Sequence, residues 1–496
     1  MEANVTELAR IVETLQQEIS LVAEQLGTLG TDLDSMWLMF GAILVVFMQA
    51  GFGMLEVGSV GTKHTKNLLI KNLLDLAVAA VAWWVCGHGI AFGSENTGGK
   101  VDGFIGHGSF FTRGDEFEGE LGYYGTMEGY NFALWLFQWS FSGASVTIVS
   151  GAIGERVATA GYFFFASVMV GFIYPMVVRW GWNTQGWASP SSSERDDLLY
   201  GCGAIDFAGS GMVHTCGGAA ALVMIALMGP RLGRFSNTGE SKKMERQSII
   251  LQASTARGQI ALGTFILWVG WYGFNGCSAL YISGSSHVAA KAMVCTTMSA
   301  SAGGLAAASA SMILFHHVGP EQISNGILSG LVSITAGCAV VEVEAAFMIG
   351  AISAVNYLVC SRILELVHID DMVDASPVHL ANGVWGLIAS GLFATKEGYS
   401  ASYFAERADQ CCGWLYGCGT AQLFANIVFL VAILGWTFFT MILVATFLKF
   451  LGIFRISQAT EKVGTDSVAH GGKTCKFAKV ILTKLEQLAT NIAYSE

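Results

Sequence analysis

Apolar runs of about 20 residues recur from one end of this chain to the other, and several contain no ionisable side chain. A helix of that length crosses about 30 Å of hydrocarbon, and inside hydrocarbon a backbone can satisfy its own polar groups only as a helix or a closed barrel. The class that follows is an all-α polytopic membrane protein, with the lipid bilayer as its first partner. Composition agrees: 13% of the 496 residues are charged, about half the share in a soluble globular chain, which excludes most soluble enzymes. The net charge of -11 argues against nucleic acid as a partner, because phosphate binding needs a basic face. Nothing in the sequence calls for a cofactor.

Hydropathy places spans near 36–57, 71–93, 130–153, 158–178, 208–229, 257–275, 289–313, 323–341, 344–364, 377–394 and 420–448. Eleven spans put the termini on opposite sides. With the N-terminus outside, 18 of the 26 basic residues fall inside, among them Lys63, Lys66, Lys71, Arg156, Arg231 and Arg455. The excess of Lys and Arg on the cytoplasmic side then favours N-out, C-in. The segment between the second and third spans, with Glu95, Asp102, Asp115, Glu116, Glu118, Glu120 and Glu128, is acidic and outside; it reads equally as a solvated loop or as a face that concentrates cations.

Three regions follow: residues 1–35, a transmembrane domain over 36–450, and a cytoplasmic tail over 451–496. Residues 1–35 lack an apolar h-region, so no cleavable signal peptide is expected. They carry instead a heptad pattern, Val5, Val12, Ile19 and Leu26 alternating with Leu8, Leu15, Val22 and Leu29, which reads as a short extracellular coiled coil or a lone amphipathic helix. Asn4-Val5-Thr6 is a glycosylation sequon on that side. In the tail, Phe477, Val480, Ile481, Leu485, Leu488 and Ile492 with Lys476, Lys479 and Lys484 suggest an amphipathic helix.

Ionisable residues inside spans are functional candidates by default. His214, in GSGMVHTCGGAAAL, and His379, in DASPVHLANGVWGL, share surroundings. Asp206 and Asp371 each precede their histidine by eight residues, and Gly218 and Leu222 are echoed by Gly383 and Leu387. The pattern D-x7-H-x3-G-x3-L occurs on spans five and ten, which run in opposite directions, as an inverted five-plus-five repeat with a final helix produces. Such repeats place the transport site near the midplane. Two neutral imidazoles there can share a proton through their inner nitrogens while each outer nitrogen faces a pore. A metal site would need further ligands at bonding range, and Cys216 is the sole nearby candidate, so no metal is expected. Asp206, at the outer end of its span, is either a cap or a source of negative potential for a cation vestibule, or both. Asp370, Asp371 and Asp374 read as structural. Phe137 and Phe141 lie one turn apart on span three; Trp271 and Phe274 share a face of span six, with Ser278 one turn further. Such rings bind cations through their quadrupoles or close a narrow pore.

The stretches FMQAGFGMLEVGSV, DFAGSGMVH, WVGWYGFNGCSA, DDMVDASPVHLANGVWG and HGG resemble, in order, signatures of the ammonium transporter / methylammonium permease / Rhesus superfamily, on its plant-type ammonium transporter branch. The resemblance covers about residues 36–472. It implies a homotrimer in the plasma membrane, one pore per subunit, with ammonium and ammonia as substrate and methylammonium as analogue. It implies a proton relay at His214 and His379, an outer recruitment site of Asp206, Phe141, Trp187 and Ser278, gate rings Phe141 and Phe274, and Gln138 and Trp271 as lining. Two positions depart from the pattern. Cys277 stands where the family usually has Gly, and Val468 stands where a plant-type tail has its phosphorylatable Thr, so that switch is impossible here; Thr465 and Ser467 are nearby hydroxyls.

The expected function is that of an ammonium transporter which recruits the cation, deprotonates it and passes ammonia, its proton relayed by the histidines. The alternative is an ammonium sensor signalling through the tail. A Rhesus-type gas channel is disfavoured by Trp187 and the plant-type motifs, and an enzyme by the lack of a nucleophile–base pair.

Overall fold

The computed structural model describes all residues except 1, 94–102, 115–116, 118–125, 193–196, 236–254 and 470–496. The acidic residues 95–120 and the amphipathic tail stretch from Phe477 lie outside the described residues. The bundle is carried by α1 (Glu2–Ser59), α2 (Thr65–Phe92), α3 (Met127–Ile153), α4 (Thr159–Gly181), α5 (Ser210–Met228), α6 (Ala256–Ala279), α7 (Ser286–Phe315), α8 (Pro320–Ile334), α9 (Val343–Leu366), α10 (Ser376–Phe393) and α11 (Ala421–Phe450). Among the described residues there is no β-strand; Val157 and Arg455 form a single antiparallel bridge.

Each of the eleven expected spans finds a helix, but among the described residues nine are long and apolar enough to cross a membrane alone. Two differ. Helix α10 is followed, after a bend of 110°, by the short helix Lys396–Ser402. Helix α8 has 15 residues, about 22 Å of rise. Its chain leaves the helix at Thr335 because the 204–210 loop takes the freed backbone groups. Phe207 and Ala208 donate their N–H groups to Ala336 O and Thr335 O, both at 3.0 Å, and Ala336 N–H donates to Ser210 Oγ at 2.7 Å. Irregular backbone at membrane depth is tolerated where protein covers it, and Thr335 and Ala336 are fully buried. Helix α2 begins six residues before the expected span, at Thr65, so Lys71 is a buried residue within it and no part of a connecting loop.

Helix α1 is continuous over 58 residues, about 87 Å, so the heptad segment and the first span form one rod. From Val5 to Leu29 both heptad rows stand 45–68% exposed in the single chain. Asp34 ends the free stretch by accepting the N–H groups of Ile282 and Ser283 at 2.7 and 2.8 Å.

Small residues set the packing. A Cβ on Gly350 would lie 2.1 Å from Ser299 O, and one on Gly303 2.3 Å from Gly326 O; α7, α8 and α9 approach to backbone contact because nothing stands between them. Helices α5 and α10 run in opposite directions. Arg231, just past the end of α5, grips Asp370, just before the start of α10, through Nε–Oδ2 and Nη2–Oδ1 bonds of 2.8 and 2.9 Å. Arg156 and Arg455 gather at this same end, with Lys63 beside the tail there. Asp206 lies at the other end of α5.

Candidate functional site

The two copies of the D-x7-H motif form the same local structure twice. His214 sits in a π-helical turn, Ser210–Thr215, and His379 in another, Ser376–Ala381. A carboxylate caps each turn. Asp206 accepts the N–H groups of Gly211 and Met212 on Oδ2, both at 2.9 Å, and of Gly209 on Oδ1 at 3.2 Å. Asp371 accepts those of Ala375 and Ser376 at 3.0 and 2.8 Å. A carboxylate suits a helix N-terminus, where unpaired donors and the dipole both favour it.

The motif glycines explain why the histidines can meet. A Cβ on Gly218 would lie 2.4 Å from Leu380 N in the other copy, and one on Gly383 2.5 Å from Ser210 O in the first. Each copy therefore presses backbone on the other through a glycine placed four residues after its histidine. The result is a ring pair: His214 and His379 approach Nδ1 to Nδ1 at 3.2 Å, with centroids 5.2 Å apart. His214 Nε2 is buried and has no hydrogen-bond partner.

On the Asp206 side lies a cavity of about 480 Å³ whose wall includes Asp206, Phe141, Phe137, Gln138, Trp182 and Ser278. Gln138 Oε1 is buried without a partner. Ser278 Oγ donates to Phe274 O at 2.7 Å, leaving its lone pairs as acceptors. Asp206 is therefore a cap and part of the wall at once, 2% exposed. Trp187 is elsewhere: its indole packs on Trp180 and Phe429, at 5.9 and 6.1 Å. The indole at the cavity is that of Trp182, edge-on to Phe141 at 5.7 Å, with its Nε1–H given to Asp206 O at 2.8 Å. Cys277 is fully buried; its side chain occupies the space beside Gly41 of α1.

Below the cavity the rings are stacked without a gap. Phe141 and Phe274 are 4.0 Å apart, Phe274 and His214 5.5 Å, and His214 and Trp271 5.2 Å. Trp271 lies beside the histidine beneath the cavity wall, its Nε1–H donated to Thr335 Oγ1 at 3.0 Å. Past His379 comes a second, small cavity of about 20 Å³, lined by His379, Phe52, Glu56, Thr147, Asn325 and Val378. That is room for about one water-sized molecule. Between the two cavities stands a column of buried aromatic rings and two imidazoles.

The far end of the bundle is a charge lattice. Burial alone would raise the Asp370 carboxyl, but hydrogen bonds from Arg231 and the charges of Arg231 and Arg156 outweigh it and hold the carboxyl at about 2. The first part of the tail is fixed here. Thr465 Oγ1 bonds His64 Nδ1 at 2.9 Å, Asp466 accepts the N–H groups of Lys66 and Asn67 at the start of α2, and Lys63 Nζ reaches Glu461 O and Lys462 O.

A model of the Ammonium Transporter Family matches residues 36–475. The chain belongs to the Ammonium Transporter Family. It is 37% identical over 426 residues to ammonium transporter 1 member 2 of Arabidopsis thaliana, covering 84% of this chain and 78% of that one. It is 36% identical over 452 residues to ammonium transporter 1 member 3 of Solanum lycopersicum, covering 89% and 92%. These relatives place it on the plant branch of the family. Among solved structures, a protein described as Sensor Amt Protein superposes with a TM-score of 0.74 at 26% identity, over 90% of this chain and 99% of that one. Mep2 of Candida albicans does so with 0.70 at 25%, over 86% of each.

Two residues of this site escape a reading by motif. Trp182 is masked by Trp180 and Trp187 on either side. Glu56 stands one position inside the end of the first expected span, and its ionisable side chain there was the available signal.

Proposed function

We propose that the chain carries ammonium across the plasma membrane as a homotrimer, N-terminus outside and tail inside, with one pore per subunit and the five-plus-five inverted repeat framing it. Named ammonium transporters among its relatives support the substrate. The observation that carries the mechanism is the unbroken column Phe141, Phe274, His214, His379 between two cavities. The cation is recruited in the outer cavity by the faces of Phe141 and Trp182, the Ser278 hydroxyl, Gln138 Oε1 and the field of Asp206. Carrying the charge into a dry column costs several kcal/mol. Giving up one proton at the column avoids that cost, ammonia passes the rings, and the proton travels along His214 and His379. K⁺ has no proton to give up and is left behind. The exposed heptad rows of α1 suit packing against the same rows of neighbouring subunits.

A signalling role has one observation behind it, the fixing of the tail from Glu461 to Asp466 onto the start of α2. Expression in a cell that lacks ammonium uptake separates the readings. Restored growth on low ammonium is the expected result. Ammonium binding with no uptake at normal surface abundance would reject transport in favour of sensing, and electrical recording then tells whether charge accompanies the substrate.

A further inference from the structure

We propose that Glu56 is the proton-carrying group at the inner end of the pore, receiving the relayed proton and returning it to ammonia as ammonia leaves the column. The inference rests on the deprotonation reading above. Glu56 is 1% exposed, yet it shares the small cavity beyond His379 with that histidine's ring. Two neutral donors hold it in place: Ser150 Oγ to Oε1 at 2.5 Å and Asn72 Nδ2 to Oε2 at 2.8 Å. A carboxylate has about four acceptor sites, so lone pairs remain on both oxygens. Gly151 keeps the carboxylate open to the cavity, since a Cβ there would lie 3.1 Å from Glu56 Oε1 and 2.8 Å from Val373 Cγ2.

The surrounding charges are already engaged. Lys71 Nζ donates to Val157 O at 3.2 Å and lies 5.6 Å from the centre of the Tyr162 ring, whose hydroxyl is bonded to Asp75. Asp374, beyond Asn325, accepts from Ser361 and Tyr357. Among the described residues no cation forms an ion pair with Glu56. An ionisable side chain buried at this depth with neutral donors and no ion pair is costly unless it has work to do. If its work were only to accept hydrogen bonds from Ser150 and Asn72, an uncharged amide would serve nearly as well.

The step balances. The proton that ammonium loses at the outer end moves along the imidazoles. His379, directly or through the one water the cavity can hold, gives a proton to Glu56, and the carboxylate becomes a carboxylic acid. Ammonia entering the cavity takes that proton on its lone pair: an N–H bond forms as the O–H bond breaks, and ammonium and carboxylate are restored.

The experiment measures inward current and labelled methylammonium uptake in the same cells, each divided by surface abundance, for wild type, Glu56→Gln and Glu56→Asp. The expected ratio of charge to methylammonium falls about tenfold or more in Glu56→Gln, the scale of losing one positioned proton carrier, while Glu56→Asp keeps most of it. An unchanged ratio in both variants, or current and uptake falling in parallel, would overturn the proposal and leave the histidine relay standing. Uptake without current in wild type would overturn the relay and, with it, this role. Where Glu56→Gln does not reach the surface, Ser150→Ala and Asn72→Ala are read the same way: each removes one donor from the carboxylate and must lower the ratio.

Discussion

His214 and His379 are joined through their Nδ1 atoms at 3.2 Å. A hydrogen bond between two imidazole nitrogens requires a proton on one and a lone pair on the other, so the two rings are opposite tautomers. One outer nitrogen is then an acceptor and the other a donor. The pair has a direction, and moving one proton through it reverses that direction. This is the property a relay needs and a single imidazole lacks.

Replacing His379 with Asp removes the second half of this bond and places an acceptor-only group, when ionised, beside the column. Ammonium current per surface molecule is expected to fall about tenfold or more, and discrimination against K⁺ to weaken, because a cation now meets a carboxylate where it met a neutral ring. Current and tracer uptake in the presence of K⁺ measure both. Selectivity equal to wild type would remove the pair from the mechanism.

The glycine crossing makes a separate prediction. Gly218→Ala and Gly383→Ala put a methyl group 2.4 and 2.5 Å from backbone atoms of the other copy. Relief requires the half-helices to separate, at a cost of ~1–3 kcal/mol, and separation lengthens the histidine bond. Both variants should melt earlier in detergent and lose most uptake. Gly258→Ala in α6, where a Cβ meets nothing within 4 Å, is the control and should melt at or above the wild-type temperature.

What could be read from the sequence follows from what each signal depends on. Length and apolarity are properties of a segment, so a helix was expected at each of the eleven places where one is found. The doubled motif exposed His214, His379 and Asp206 because it repeats over short range. Helix α8 ends early through bonds from the 204–210 loop, which no local pattern records. Which indole faces the cavity is set by the fold of the loop after α4. There Gly186 N–H closes a turn onto Asn183 O, and Trp187 and Ala188 N–H are drawn to Gly103 O and Trp180 O. That turn carries Trp187 away and leaves Trp182 against Phe141.

The difference between the two indoles can be measured. Trp182→Ala removes an indole from the cavity wall beside Phe141, and cation–π contacts in partly desolvated sites are worth ~1–2 kcal/mol. The apparent KM for methylammonium should rise about tenfold, with maximal uptake less affected. Trp187→Ala loses packing on Trp180 and Phe429 and should leave KM within about twofold. The opposite ranking would return the role to Trp187.

The lattice at the far end predicts a pH dependence of stability. Asp370 in the folded protein is held at about 2 against an ordinary 3.8, a difference worth ~2 kcal/mol at neutral pH. A carboxyl depressed on folding stabilises above its unfolded value and ceases to do so as pH falls through the folded one. The contribution is therefore complete above about pH 4 and gone near pH 2. Asp370→Asn also leaves Arg156, 1% exposed, without its carboxylate partner, so at pH 7 the variant should be the less stable by at least that amount. Unfolding of the detergent-solubilised protein, followed from pH 7 down to pH 2 in wild type and variant, should show the gap narrowing steadily below pH 4. A gap that stays constant over this range would mean that the carboxylate charge does not hold α5 to α10, and that the bonds to Arg231 act through shape alone.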